Sequence, residues 1–176
     1  MATVRAAIAA LAGCLLVTGC QLTSGHPTTT AAAAVELRRP RVVDGDTFDA
    51  TDADGRRVRV RLIGVDAPEI RHGATPAQSG AVQAQQELRS LLATVASLQM
   101  VPDPNSVAVD RYGRRLGYVQ IDAGDVALLL LRAGVVEAWG PRGAAAPTRL
   151  SDYRAAQQVA QDAGTGSWRT CGTLGR

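Results

Sequence analysis

The run Arg57-Val58-Arg59-Val60-Arg61-Leu62-Ile63-Gly64-Val65-Asp66-Ala67-Pro68-Glu69 decides how this chain is read. Val58, Val60 and Leu62 alternate with Arg57, Arg59 and Arg61. That period of two puts apolar side chains on one face of a strand and arginines on the other. Ile63 and Val65 shift the apolar set by one residue across Gly64, which predicts a bulge or bend just before Asp66. Pro68 stiffens the chain and disfavours helix at Ala67. Asp66 and Glu69 are therefore held on a fixed loop after a strand.

Upstream, Arg41-Val42-Val43 enters the turn Asp44-Gly45-Asp46-Thr47. Thr47 to Thr51 reads as a strand ending in Asp52-Ala53-Asp54-Gly55, a hairpin signal. Gly55 imitates the glycine of a calcium loop, but Ala50 and Arg61 would fill that loop's first and last ligand positions, so the hairpin reading stands. Downstream, Ala77, Ala81, Ala84, Leu88, Leu91, Leu92 and Val95 step by three and four along one helical face. Leu98 to Val101 reads as a strand and Pro102 to Val109 as a loop. Asp110-Arg111-Tyr112-Gly113-Arg114 is followed by a strand over Leu116 to Ile121. Asp125 can N-cap a short helix, Val126 to Ala133, apolar almost all round and hence buried, which Gly134 stops. A last helix over Leu150 to Asp162 carries Tyr153, Ala156 and Ala160 on one stripe. About five short strands with three helices predict a small barrel with helices packed on it, an α+β domain.

Asp44, Asp46, Asp66 and Glu69 are the candidates for metal work, with Arg61 and Arg114 beside them. Carboxylates can hold a hard cation and steer a water, and guanidinium groups neutralise charge building up on phosphorus oxygens. Metal-assisted attack on a phosphodiester needs no histidine or cysteine, and none lies in these runs. Asp-Gly-Asp alone is common at turns for conformational reasons. The joint occurrence of the three runs, in order, carries the reading. Arg57, Arg59, Arg111 and Arg115 are read as solvated surface, His72 as a bystander and Trp168 as packing.

The 176 residues allow one domain with a real core and little beyond it. Residues 1–19 read as a lipoprotein signal: Arg5 is the basic start, Ala6 to Val17 the apolar run, and small residues precede Cys20. Cys14 matches the same pattern with a shorter apolar stretch, which makes Cys20 the preferred lipidation site. Residues 20–35 form a flexible tether, 36–170 the folded domain and 171–176 a C-terminal tail. The protein is expected outside the cytoplasm, lipid-anchored to the cell membrane, or secreted if it is not lipidated. The formal charge of +3 is too mild to argue a nucleic-acid partner by itself. With Cys14 in the leader and Cys20 on lipid, Cys171 is left alone and no internal disulfide follows.

Asp-Gly-Asp-Thr (44–47), Arg-Leu-Ile-Gly-Val-Asp-Ala-Pro-Glu (61–69) and Asp-Arg-Tyr-Gly-Arg (110–114), with a buried helix and Gly166-Ser167-Trp168 after them, resemble the thermonuclease, or staphylococcal nuclease, family over about Leu37 to Trp168. The resemblance implies a five-stranded OB-type β-barrel with three packed helices, and calcium-dependent hydrolysis of DNA and RNA to 3′-phosphate ends. It makes Asp46, Asp66 and the backbone carbonyl of Ala67 calcium ligands, with Asp44 orienting the ion's waters. Glu69 would handle the attacking water, Arg61 and Arg114 would grip the scissile phosphate, and Tyr112 would lie beside the nucleotide. The family often has Thr where this chain has Ala67, and it places aromatic residues past the buried helix, where only Trp139 is available here. No protein partner is evident and a monomer is expected. Two rivals remain at this stage: a nuclease-like module that binds nucleic acid without cutting, and a structural calcium-binding lipoprotein.

Overall fold

The computed structural model of the chain describes residues 33–71, 73–171 and 174. The expected leader, Cys14, Cys20, His26, most of the tether and His72 lie outside the described residues.

In chain order the elements are β1 (Val35–Val42), β2 (Thr47–Asp52), β3 (Arg57–Leu62), β4 (Val65–Asp66), α1 (Ala81–Leu92), β5 (Leu98–Val101), β6 (Arg115–Ile121), β7 (Gly124–Asp125), α2 (Val126–Arg132), β8 (Glu137–Ala138), α3 (Leu150–Asp162) and α4 (Trp168–Cys171). Strands β3, β2, β1, β5 and β6 pair in that order, all antiparallel. A parallel pairing of β3 with β6, Val60 opposite Arg115 and Leu62 opposite Gly117, closes the barrel. Closure leaves no open sheet edge on these five strands. The expected five-stranded α+β barrel is therefore present, with α1, α2 and α3 as its longer helices and the short α4 added.

Alternation in β3 works as the sequence implies: Val58, Val60 and Leu62 are buried while Arg57 and Arg59 are exposed. Phe48, Val60, Leu62, Leu88, Val119, Val126 and Leu130 fill the interior. After Leu62 the chain bends at Gly64, whose φ of 83° suits glycine and whose missing Cβ leaves room for the Tyr153 ring. The bend hands the strand from the barrel to a second small sheet, where Val65 and Asp66 pair with Ala138 and Glu137. Asp66 is thus fixed by backbone pairing and not by loop stiffness alone.

Three expectations need correcting. Helix α1 is shorter than its apolar stripe: Gly80 sits at φ 84°, outside the helical region, and the helix starts only at Ala81, leaving Ala77 and Val95 outside it. Arg115 is not simple surface, because its Nη2 donates to the buried carboxylate of Asp52 at 3.1 Å and ties the β2–β3 hairpin to β6. Arg59 likewise makes a two-pronged contact with Asp49 across β2 and β3, at 2.7 and 3.1 Å. Strand β1 begins one residue ahead of the expected domain start at 36, and α4 runs through the expected boundary at 170.

Asp125 caps α2 as expected, accepting the Leu128 amide at 3.2 Å. Its other oxygen accepts Arg149 Nη1 at 2.6 Å and the Tyr153 hydroxyl at 2.7 Å. Tyr153 packs edge-on against Tyr118 of β6, ring centroids 6.1 Å apart. One carboxylate therefore fastens α2 and α3 to the barrel.

The turn at Asp44–Asp46 sits where β1, α1 and the Ala67 loop meet. A Cβ on Gly45 would lie 2.7 Å from the Cβ atoms of both Ala67 and Ala84. Gly45→Ala should therefore cost about 1–3 kcal/mol through overpacking, read from urea unfolding. A stability equal to the unsubstituted protein would show that the three segments are not in close contact.

Candidate active site

An open cleft of about 370 Å³ on the barrel wall is lined by Arg61, Asp66, Glu69, Asp110, Arg114 and Trp139, among others. Arg61 stands near the end of β3, Asp66 on β4, Glu69 on the following loop and Arg114 just before β6. The parallel β3–β6 pairing places Arg61 opposite Leu116, two residues past Arg114, and so gathers side chains far apart in sequence.

Asp46 lies behind this cleft, buried. Its Oδ1 accepts the Thr47 hydroxyl at 2.8 Å and its Oδ2 accepts the Ala67 amide at 2.9 Å. Arg61 Nη1 is 2.9 Å from the same Oδ2, and Arg61 Nη2 is 2.7 Å from Asp66 Oδ1. Arg61 Nη1 also donates to the carbonyls of Leu62 and Val65. The guanidinium, with 14% of its side chain exposed, thus bridges both carboxylates. Burial pushes the Asp46 carboxyl above its ordinary pKa; Arg61, the Ala67 amide and the Thr47 hydroxyl oppose that rise and the Asp66 charge adds to it. A buried carboxylate in this state is stabilised by positive charge placed beside it.

The donor set here is all oxygen, which suits a hard cation. Asp46 and Asp66 are joined through Arg61, a cation already sitting between them. The Ala67 carbonyl accepts no hydrogen bond among the described residues and is open to a ligand role. Also among the described residues, no three His, Cys, Asp or Glu side chains converge on one point. A metal here would rest on two carboxylates, a carbonyl and water. Asp44 is buried beside the turn and accepts the Gly45 amide at 2.8 Å.

Arg114 is oriented by Asp110, whose Oδ2 accepts its Nε at 2.8 Å. The other Asp110 oxygen accepts the amides of Tyr112 and Arg114. Burial works against the charged form of Asp110, yet these hydrogen bonds outweigh it and hold its carboxyl below the usual range. Nε is the only engaged side-chain nitrogen of Arg114 among the described residues, which leaves both terminal amino groups free at the cleft wall. Tyr112, 67% exposed, does not line the cleft; its ring lies 5.3 Å from the Arg114 guanidinium and 4.8 Å from that of Arg111.

Three further residues matter to the geometry. Trp139, half exposed, forms part of the cleft wall, and its amide donates to the Gly64 carbonyl at 2.9 Å. Asp110 opens the Asp110–Arg114 run read from the sequence, but its grip on the Arg114 side chain was not legible there. Gln78 left no signal at all. Its side-chain Oε1 accepts the Glu69 backbone amide at 2.7 Å while its own backbone N–H donates to the Glu69 carbonyl at 2.9 Å, clamping the Glu69 backbone from across the loop.

Residues 59–170 match the family described as staphylococcal nuclease homologue. The chain is 41% identical over 80 residues to a thermonuclease of Staphylococcus intermedius, covering 45% of each chain. It is 30% identical over 124 residues to a probable endonuclease of Paracoccidioides lutzii, covering 65% of this chain and 34% of that one. It is also similar to the protein ParB of Escherichia coli, at 38% over 82 residues, covering 47% of this chain and 40% of that one. The chain spans less than half the length of each of these relatives. With the motif runs gathered on a closed five-stranded barrel and well over half of the chain matched, this protein belongs to the staphylococcal nuclease family.

Proposed function

We propose that this chain is a calcium-dependent nuclease that hydrolyses phosphodiester bonds of DNA and RNA and leaves 3′-phosphate ends. The observation that carries the reading is the cleft that gathers Asp66, Glu69 and Arg114, with Asp46 tied to Asp66 through Arg61. Relatives named as a thermonuclease and an endonuclease support it.

Asp46, Asp66 and the Ala67 carbonyl are the groups that would hold the calcium. Bound there, the ion would supply Lewis-acid charge on a phosphate oxygen and raise the acidity of its water. Glu69 reaches the cleft from a clamped loop and orients the attacking water, or takes its proton. Attack on phosphorus breaks the bond to the 5′ oxygen; that oxygen leaves as a 5′-hydroxyl once protonated, and the phosphate stays on the 3′ side. Arg114 offers two parallel N–H donors to the phosphate as negative charge grows on it. Arg61 borders the same cleft and would share this contact when it is not engaged by Asp46 and Asp66. These groups face phosphate and not base edges, so little sequence preference is expected. We further propose export, lipid attachment at Cys20 and action as a monomer.

One observation favours a second reading. Arg61 occupies both carboxylates at once, as would suit a module that binds nucleic acid without cutting. A nuclease assay on denatured DNA and RNA with titrated calcium separates the two.

Activity should appear with calcium and vanish with a chelator. Glu69→Gln should lower kcat by about 10²–10⁴-fold with an unchanged circular dichroism spectrum; full activity in that variant would remove Glu69 from the chemistry. Arg114→Ala should lower kcat by about 10²-fold or more, against less than about tenfold for Arg111→Ala, which touches Tyr112 and not the cleft. Equal losses would undo the distinction between the two arginines. Cys20→Ser should release the protein from the membrane fraction, and undiminished retention there would rule out the anchor.

A further inference from the structure

Strand β1 is not regular. Its register with β2 slips between Arg38 and Arg41, and Arg39 is the one non-glycine among the described residues with a positive φ, at 54°. A side chain adopts that conformation only against steric resistance. Pro40, which has no N–H for the ladder, completes the irregularity. The result is that Arg38, Arg39 and Arg41 are all exposed, where a flat strand would turn alternate residues inward.

These residues border two crevices that share Pro40. One, of about 410 Å³, runs between Arg38–Pro40 and the start of β5. The other, of about 280 Å³, runs between Arg41 and the C-terminal turn of α1, where Arg89 forms its far wall. The two adjoin at Pro40 and make up a trough in two parts. Arg38 is engaged by Glu36, but Arg39, Arg41 and Arg89 have no hydrogen bond or ion pair among the described residues. Glu87, two residues before Arg89, borders a different crevice with Gln83 and Val135. By contrast Arg57, Arg59, Arg61, Arg114, Arg115 and Arg149 each meet a carboxylate.

The trough shares no lining residue with the proposed catalytic cleft, but its β1 and α1 walls both adjoin the turn that holds Asp46. Strand β1 runs directly into Asp44-Gly45-Asp46, and Ala84 of α1 packs on Gly45. Arg89 lies five residues further along that helix, about 8 Å at 1.5 Å per residue. We infer that this trough is a second polynucleotide-binding surface, in which Arg39, Arg41 and Arg89 hold phosphates of a single strand whose scissile bond lies in the Asp66–Glu69–Arg114 cleft. The inference rests on the nuclease reading for its substrate class. The trough carries arginine and no aromatic ring, so it would track the backbone and be indifferent to base identity.

The test is direct binding of a labelled single-stranded DNA of about twenty nucleotides, longer than a single OB-type site, in chelator and over a salt series. It compares the unsubstituted protein with Arg39→Ala/Arg41→Ala/Arg89→Ala. A second variant, Arg41→Glu/Arg89→Glu, leaves the strained position untouched. The triple variant should bind at least about tenfold more weakly, and its log–log salt slope should be shallower by about two, near 0.7 per lost phosphate contact on a single strand. The charge-reversed pair should lose at least as much affinity. With calcium added, the ratio of kcat/KM on the long strand to that on a dinucleotide should fall in step. Unchanged affinity and slope in both variants would overturn the inference. So would undiminished DNA binding accompanied by lost binding to anionic phospholipid vesicles, which would assign the trough to a membrane surface. Because binding is read in chelator, an unsubstituted protein that binds but never cuts would sink the nuclease reading and leave the trough standing.

Discussion

A single guanidinium set between two carboxylates organises the centre of this molecule. Asp46 is buried, and a buried carboxylate without a positive partner is costly; breaking such a pair by removing one partner costs about 3–5 kcal/mol. Arg61 supplies the partner and reaches Asp66 with its other amino group, so the turn after β1 and the strand β4 are held at one point. The Ala67 amide adds a third tie to the same Asp46 oxygen. The turn, the end of β3 and the carboxylate loop therefore cannot move independently. Charge compensation at this point and the proposed chemistry draw on the same atoms.

The barrel makes that meeting possible. Closing β3 on β6 in parallel places Arg61 near the Asp110–Arg114 turn, and Asp110 then aims the Arg114 side chain along the cleft wall. Gly45 allows Ala67 and Ala84 to close on the turn with no intervening side chain. On this view Ala67 is more than the loss of a hydroxyl: its small side chain fits a space that the glycine opposite leaves narrow. The helices contribute from outside. α1 underpins the turn, and Asp125 locks α2 and α3 to the barrel through Arg149 and Tyr153.

The electrostatics divide the arginines by role. Most of those on the barrel strands meet carboxylates and act as ties between strands, as Arg59 does with Asp49 and Arg115 with Asp52. Arg114 is held at Nε, which leaves its two-pronged end open to an anion. Arg39, Arg41 and Arg89 have no such ties and crowd one trough. A modest formal charge of +3 therefore conceals an uneven distribution, which total charge cannot reveal.

Local pattern was enough for the elements whose cause is local. The alternation in Arg57–Leu62, the hairpin at Asp52–Gly55, the Asp125 cap and the apolar stripe of Leu150–Asp162 all follow from periodicity, turn chemistry or capping, and each lies where the chain alone placed it. The start of α1 was misread because an apolar stripe continues through residues that Gly80's conformation keeps out of the helix. The motif runs named candidate site residues, but tertiary contacts decided much of what they touch. Arg61 engaging two carboxylates and Trp139 walling the cleft depend on which segments the fold brings side by side, while Gln78 clamping Glu69 and Asp110 aiming Arg114 are contacts within one loop whose side-chain geometry no spacing specifies. Sequence spacing reports neighbours along the chain, and which side chains meet across strands is decided only when those strands have paired.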